Sequence, residues 1–144
     1  MPKTQKRYRI FVVDDEPTIV STLGLILSQQ GFEVITFTDP LAALKAIHTK
    51  APDLVIADVI MPGLSGIDLA IVVRETCPAC TVLLFSGQIA THQLIEGAKA
   101  RGHDFEVITK PVHPLEILAR VRSGLEFASG VEGSAASLQQ FEGD

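Results

Sequence analysis

The chain has 144 residues, the size of one ordinary domain, which can bury a core without disulfides or a structural metal. A formal net charge of −5, from 17 acidic against 12 basic residues, argues against a surface built to neutralise nucleic-acid phosphates, so direct DNA or RNA binding by this chain alone is not expected. Hydrophobic residues make up 47% of the chain, but Asp, Ser, Thr or Gly interrupts every apolar stretch before the ~20 residues needed to cross a bilayer. The basic start, Met1 to Arg7, leads into only six residues before Asp14, too short for a signal-peptide core, so a cytoplasmic protein without a membrane span is expected.

Short apolar runs alternate with segments of helical period five times, the pattern of an α/β domain with a parallel sheet. Arg9 to Val13 reads as the first strand, followed by a helix opening at Pro17, whose fixed φ suits a first helical position. Ile19, Leu23, Ile26 and Leu27 form its predicted buried stripe, and Gly31 ends it. Glu33 to Phe37 is the second strand. Asp39-Pro40 then caps and opens a helix in which Leu41, Leu44 and Ile47 recur at helical spacing.

The third strand, Leu54 to Ala57, delivers Asp58 at its C-terminal end. Beyond the turn Met61-Pro62-Gly63, Ser65 with Asp68 three residues on resembles a capping box for a helix through about Glu75. Val82 to Phe85 is the fourth strand, ending at Ser86-Gly87. A helix from Thr91 to Ala100 follows, weakened by Gly97. Glu106 to Thr109 is the fifth strand, ending at Lys110-Pro111. Pro114 opens a last helix, with Ile117, Leu118, Val121 and Leu125 on its buried side. One domain over residues 7–127 is expected, with 128–144, rich in Ser, Gly and Ala, as a flexible tail or linker.

Cys77 and Cys80 form a lone C-P-A-C between a predicted helix and a predicted strand, without the second pair or the nearby His that a zinc site needs. Among the histidines, His48, His92, His103 and His113 read as surface or capping groups, His113 capping the helix opened by Pro114.

The polar residues that end the strands carry the chemistry. Asp14 and Asp15 follow strand one, Asp58 strand three, Ser86 strand four and Lys110 strand five. Each alone could be a solvated loop charge or a cap, but together they meet at the carboxyl ends of the strands, where open α/β sheets bind ligands. Three carboxylates in one pocket repel. At ~5 Å and an effective dielectric near 20 each pair costs about 3 kcal/mol. Such a cluster wants a divalent cation, and oxygen-only ligands favour Mg²⁺ or Mn²⁺. With a lysine added, the set suits phosphoryl transfer, which depends on positioning and charge neutralisation, and a carboxylate held there can itself be the nucleophile.

At these residues the chain resembles the receiver domain of bacterial response regulators, from about Arg7 to Phe127. The resemblance rests on Asp14-Asp15 after Val12-Val13, the run Asp58-Val59-Ile60-Met61-Pro62-Gly63 with Gly66 following, Ser86, and Lys110-Pro111. It implies a flavodoxin-like (βα)5 fold with strand order 2-1-3-4-5 and helices on both faces. It also implies that Asp58 is the phosphoacceptor, and that Asp15, Asp58 and the main-chain carbonyl of Ile60 coordinate Mg²⁺ directly while Asp14 holds it through water. Lys110 would pair with a phosphoryl oxygen and the Ser86 hydroxyl would donate to another, shifting the face of helix four, strand five and helix five.

The implied activity is Mg²⁺-dependent self-phosphorylation and autodephosphorylation rather than turnover of a separate substrate. Implied partners are a sensor histidine kinase or phosphotransfer protein, and a downstream protein or a missing output domain. The family also allows a phosphorylation-dependent dimer. Three positions depart or modulate: Val107 stands where an aromatic residue is common, and Gln88 with Ile60 flanks the path of a hydrolytic water. Two other readings compete. A receiver serving only as a binding module would lack part of the acidic set, which is complete here. A haloacid-dehalogenase-type phosphohydrolase would need a second Asp two residues after Asp58, where Ile60 stands.

Overall fold

The computed structural model describes residues 7–87, 91–110 and 113–133, with Thr91 and residues 127–133 described by their backbone alone. Five strands and five helices alternate: β1 (Arg9–Val13), α1 (Pro17–Gln29), β2 (Glu33–Phe37), α2 (Pro40–Thr49), β3 (Leu54–Asp58), α3 (Gly66–Thr76), β4 (Thr81–Ser86), α4 (Thr91–Ala100), β5 (Glu106–Thr109) and α5 (Pro114–Gly133). The strands form one parallel sheet in the order β2-β1-β3-β4-β5. All carboxyl ends therefore share one edge, and the expected flavodoxin-like topology is the observed one.

Alternation along each strand divides the core in two. Phe11, Val13, Val55, Ala57, Val82 and Leu84 face α2, α3 and α4. Ile10, Val12, Leu54, Ile56, Leu83, Phe85 and Ile108 face α1 and α5. The central strands are buried on both sides, which explains why they read as unbroken apolar runs. Ile117, Leu118, Val121 and Leu125 all lie on the buried side of α5.

Three details differ from expectation. Val20 joins Leu23 and Leu27 as the buried residues of α1, while Ile19 and Ile26 are only partly buried. Leu41 is 53% exposed, because the buried arc of α2 runs through Pro40, Ala43 and Ile47. The backbone of α5 continues through Gly133, beyond Phe127; residues 134–144 of the predicted tail lie outside the described residues.

Local signals set the helix starts. Asp39 accepts from the Leu41 N–H at 3.0 Å, Ser65 Oγ from the Asp68 N–H at 3.1 Å, and His113 Nδ1 from the Leu115 N–H at 3.1 Å. At the far side of the sheet, Arg120 on α5 donates to Glu106 Oε2 at 2.6 Å and to the Val107 carbonyl at 3.2 Å, tying that helix to β5. No described helix is long and apolar enough to cross a membrane.

Candidate functional site

β1 and β3 are adjacent, so Asp14, one residue past β1, comes beside Asp58 at the end of β3. One carboxylate oxygen from each of Asp14, Asp15 and Asp58 lies within 4.8 Å of the others. Lys110 enters from the end of β5. Its backbone N–H donates to the Ser86 carbonyl at 2.9 Å, which fixes the strand end, and its Nζ reaches Asp58 Oδ2 at 3.2 Å and Asp14 Oδ2 at 3.6 Å. The Phe85 ring lies under that ammonium, 6.0 Å from its centroid.

Asp58 is held at both oxygens: Oδ2 by Lys110 and Oδ1 by the Ile60 N–H at 3.4 Å. Its backbone is pinned as tightly. Gly66 begins α3 directly against it, where an added β-carbon would collide with the Asp58 carbonyl oxygen, and the Gly66 N–H donates to the Val59 carbonyl at 2.9 Å. Gly63, at φ 86°, makes the turn that brings α3 back to this point.

Asp14 is 2% exposed. Its Oδ1 accepts the Glu16 N–H at 3.0 Å, but Oδ2 is buried without a hydrogen bond. Burial lifts its carboxyl above the ordinary 3.8, with Asp58 and Asp15 pushing the same way and the Glu16 N–H and Lys110 opposing. A buried carboxylate whose Oδ2 makes no hydrogen bond and only a 3.6 Å ion pair with Lys110, facing two further carboxylates, is the donor set of a hard divalent cation. The residues present therefore fit Mg²⁺.

Ser86 ends β4, paired in register with Thr109 and next to the Asp58–Phe85 pair, so its position is at the pocket rim. Ile60 is 40% exposed beside Asp58. Val107 is half-buried at the margin of the core on the α2, α3 and α4 side rather than in the acidic cluster. Gln88 and Pro111 lie outside the described residues. Sequence reasoning did not see the Glu16 N–H on Asp14 or the steric need for a glycine at position 66. An acidic residue two before a backbone amide at a helix start could have signalled the first; the second depends on a contact between distant elements.

A parallel doubly wound sheet thus carries an aspartate-lysine cluster at its carboxyl edge, the arrangement expected of a signalling receiver. The chain belongs to the response regulator receiver domain family, whose sequence model matches residues 10–122. It is 35% identical over 119 residues to the DNA-binding response regulator MtrA of Mycolicibacterium smegmatis, covering 83% of this chain and 51% of that protein. It is 33% identical over 135 residues to the probable transcriptional regulatory protein TcrX of Mycobacterium tuberculosis, covering 94% and 56% respectively. A response regulator receiver domain protein from Clostridium thermocellum superposes with a TM-score of 0.75 at 27% identity, over 85% of this chain and 97% of that one. The chain thus spans about half the length of the curated relatives it matches.

Proposed function

We propose that this receiver accepts a phosphoryl group on Asp58 from the phosphohistidine of a sensor histidine kinase or a phosphotransfer protein. The observation that carries the reading is the clamp on Asp58, whose two oxygens are held by Lys110 Nζ and the Ile60 N–H within a cluster of three carboxylates that one lysine only partly neutralises. Mg²⁺, or Mn²⁺ in its place, would be held by Asp14, Asp15, Asp58 and the main-chain carbonyl of Ile60. When bound, it supplies the positive charge that the three carboxylates lack and that an incoming phosphoryl group needs.

The chain's own residues do the rest. Clamping holds the Asp58 carboxylate in one orientation, so its attack on phosphorus loses little rotational entropy at the moment of reaction. An oxygen-to-phosphorus bond forms as the phosphorus-to-nitrogen bond of the donor breaks, the electron pair leaving with the imidazole, which takes up a proton from solvent. Lys110, now sharing its charge between Asp58 and Asp14, turns to a phosphoryl oxygen, and the Ser86 hydroxyl donates to another. That movement at the ends of β4 and β5 shifts the face of α4, β5 and α5 toward a downstream protein, an output domain or a second copy of the chain.

Incubation with acetyl phosphate and Mg²⁺ tests the reading. The wild type is expected to gain one acid-stable, alkali-labile phosphoryl group by intact mass, and Asp58→Asn none. Equal labelling of both proteins removes Asp58 from the role.

A further inference from the structure

The acidic pocket leaves one chemically active pair unused. Cys77 and Cys80 bracket the turn between α3 and β4, at the end of the sheet opposite Asp58. The Cys80 N–H donates to the Cys77 carbonyl at 2.9 Å, closing a β-turn whose second position is Pro78. Proline presets φ at that position, and the closed turn holds the two α-carbons less than about 7 Å apart, inside the span a disulfide bridges.

Both thiols are free and each residue is partly buried. Cys77 Sγ lies 3.9 Å from the Pro52 carbonyl and Cys80 Sγ 3.5 Å from the Thr81 carbonyl, so both are held in place by weak donation to the backbone. Burial, then the Cys77 thiol hydrogen-bonded to it, then Asp53, push the Cys80 thiol far up. Cys80 is thereby kept protonated, which disfavours soft-metal binding through two thiolates.

We propose that Cys77 and Cys80 form a reversible intramolecular disulfide, making the α3–β4 turn a redox-modification site independent of Asp58. With hydrogen peroxide as oxidant, the Cys77 thiol becomes a sulfenic acid and one water leaves. Cys80 sulfur then attacks Cys77 sulfur as its thiol proton passes to the sulfenic oxygen, so that the sulfur-to-sulfur bond forms while the sulfur-to-oxygen bond breaks and a second water leaves. Peroxide takes up two electrons and the pair gives up two electrons and two hydrogens. A dithiol reductant reverses the bond by exchange. Redox pairs of this spacing commonly open a helix; here the turn between α3 and β4 brings the two cysteines together by a different geometry.

The test uses the full chain, treated with hydrogen peroxide and, separately, equilibrated in glutathione buffers from reducing to oxidising. The expected product loses the mass of two hydrogen atoms, localised to the single tryptic peptide from Glu75 to Lys99. Both free thiols disappear together, and dithiothreitol restores them. Cys80→Ser should instead stop at a glutathione adduct on Cys77. Two thiols surviving the most oxidising buffer, or products limited to intermolecular disulfides and sulfinic acid, overturn the proposal. Because Asp58 labelling is read separately by acetyl phosphate, loss of one result leaves the other standing.

Discussion

Gly66 lies so close to Asp58 that its missing side chain is a structural requirement: a β-carbon there would overlap the Asp58 carbonyl oxygen. Gly66→Ala must push α3 away from the end of β3 or twist Asp58 out of its clamp. Overpacking of this kind costs about 1–3 kcal/mol. The variant should melt lower than the wild type and take up phosphoryl groups more slowly from acetyl phosphate. A wild-type melting curve would contradict the close approach.

Removing charge from the acidic cluster should act in opposite directions with and without metal. Its pKa is raised on folding, so its neutral form favours the folded state: that stability is fully present below 3.8 and is lost as pH rises through the higher folded value. Asp14→Asn removes the buried charge, and the metal-free variant is expected to melt higher than the wild type near neutral pH, with the difference vanishing toward strong acid. Asp15→Asn, which removes an exposed member of the cluster, should weaken Mg²⁺ binding measured by calorimetry. Unchanged Mg²⁺ affinity in Asp15→Asn would remove that residue from the metal set.

The Ile60 side chain cannot hydrogen-bond and stands exposed beside Asp58, where the family resemblance places the approach of a hydrolytic water. Slow loss of phosphate is therefore expected, and Ile60→Asn combined with Gln88→Glu should accelerate it by offering groups that orient water. Intact mass after donor removal follows the decay. A double variant no faster than the wild type would sink the idea.

His113 supplies an unusual cap. Its ring nitrogen takes the Leu115 N–H that a Ser or Asp would ordinarily accept at a helix start. His113→Ala should cost about 1 kcal/mol of stability, and His113→Asp should restore most of it. Thermal melting of the two variants decides between a cap and an idle surface ring.

These relationships show which parts of the molecule local sequence could specify. β5 and α4 have the bounds that apolar runs and turn residues indicate, and Asp39, Ser65 and His113 cap as their spacing suggests. β3 and β4 run on to include Asp58 and Ser86, because backbone pairing continues past the last apolar side chain. Leu41 misled because period alone does not say which arc of a helix meets the sheet, and the small Ala43 does that work. The convergence of Asp14, Asp58 and Lys110 was legible since strand ends share an edge in a parallel sheet. The burial of Asp14 Oδ2 without a hydrogen bond was not, because it depends on how closely groups from elsewhere in the chain approach it.

The grip of Arg120 on Glu106 and on the Val107 carbonyl has a mechanical meaning. Lys110 and Val107 belong to one short stretch of backbone, and Arg120 ties that stretch to α5 by polar contacts rather than through the hydrophobic interior. If the proposed phosphorylation of Asp58 draws Lys110 toward a phosphoryl oxygen, these contacts are the shortest polar route by which the movement would reach α5 and a protein resting on its outer side.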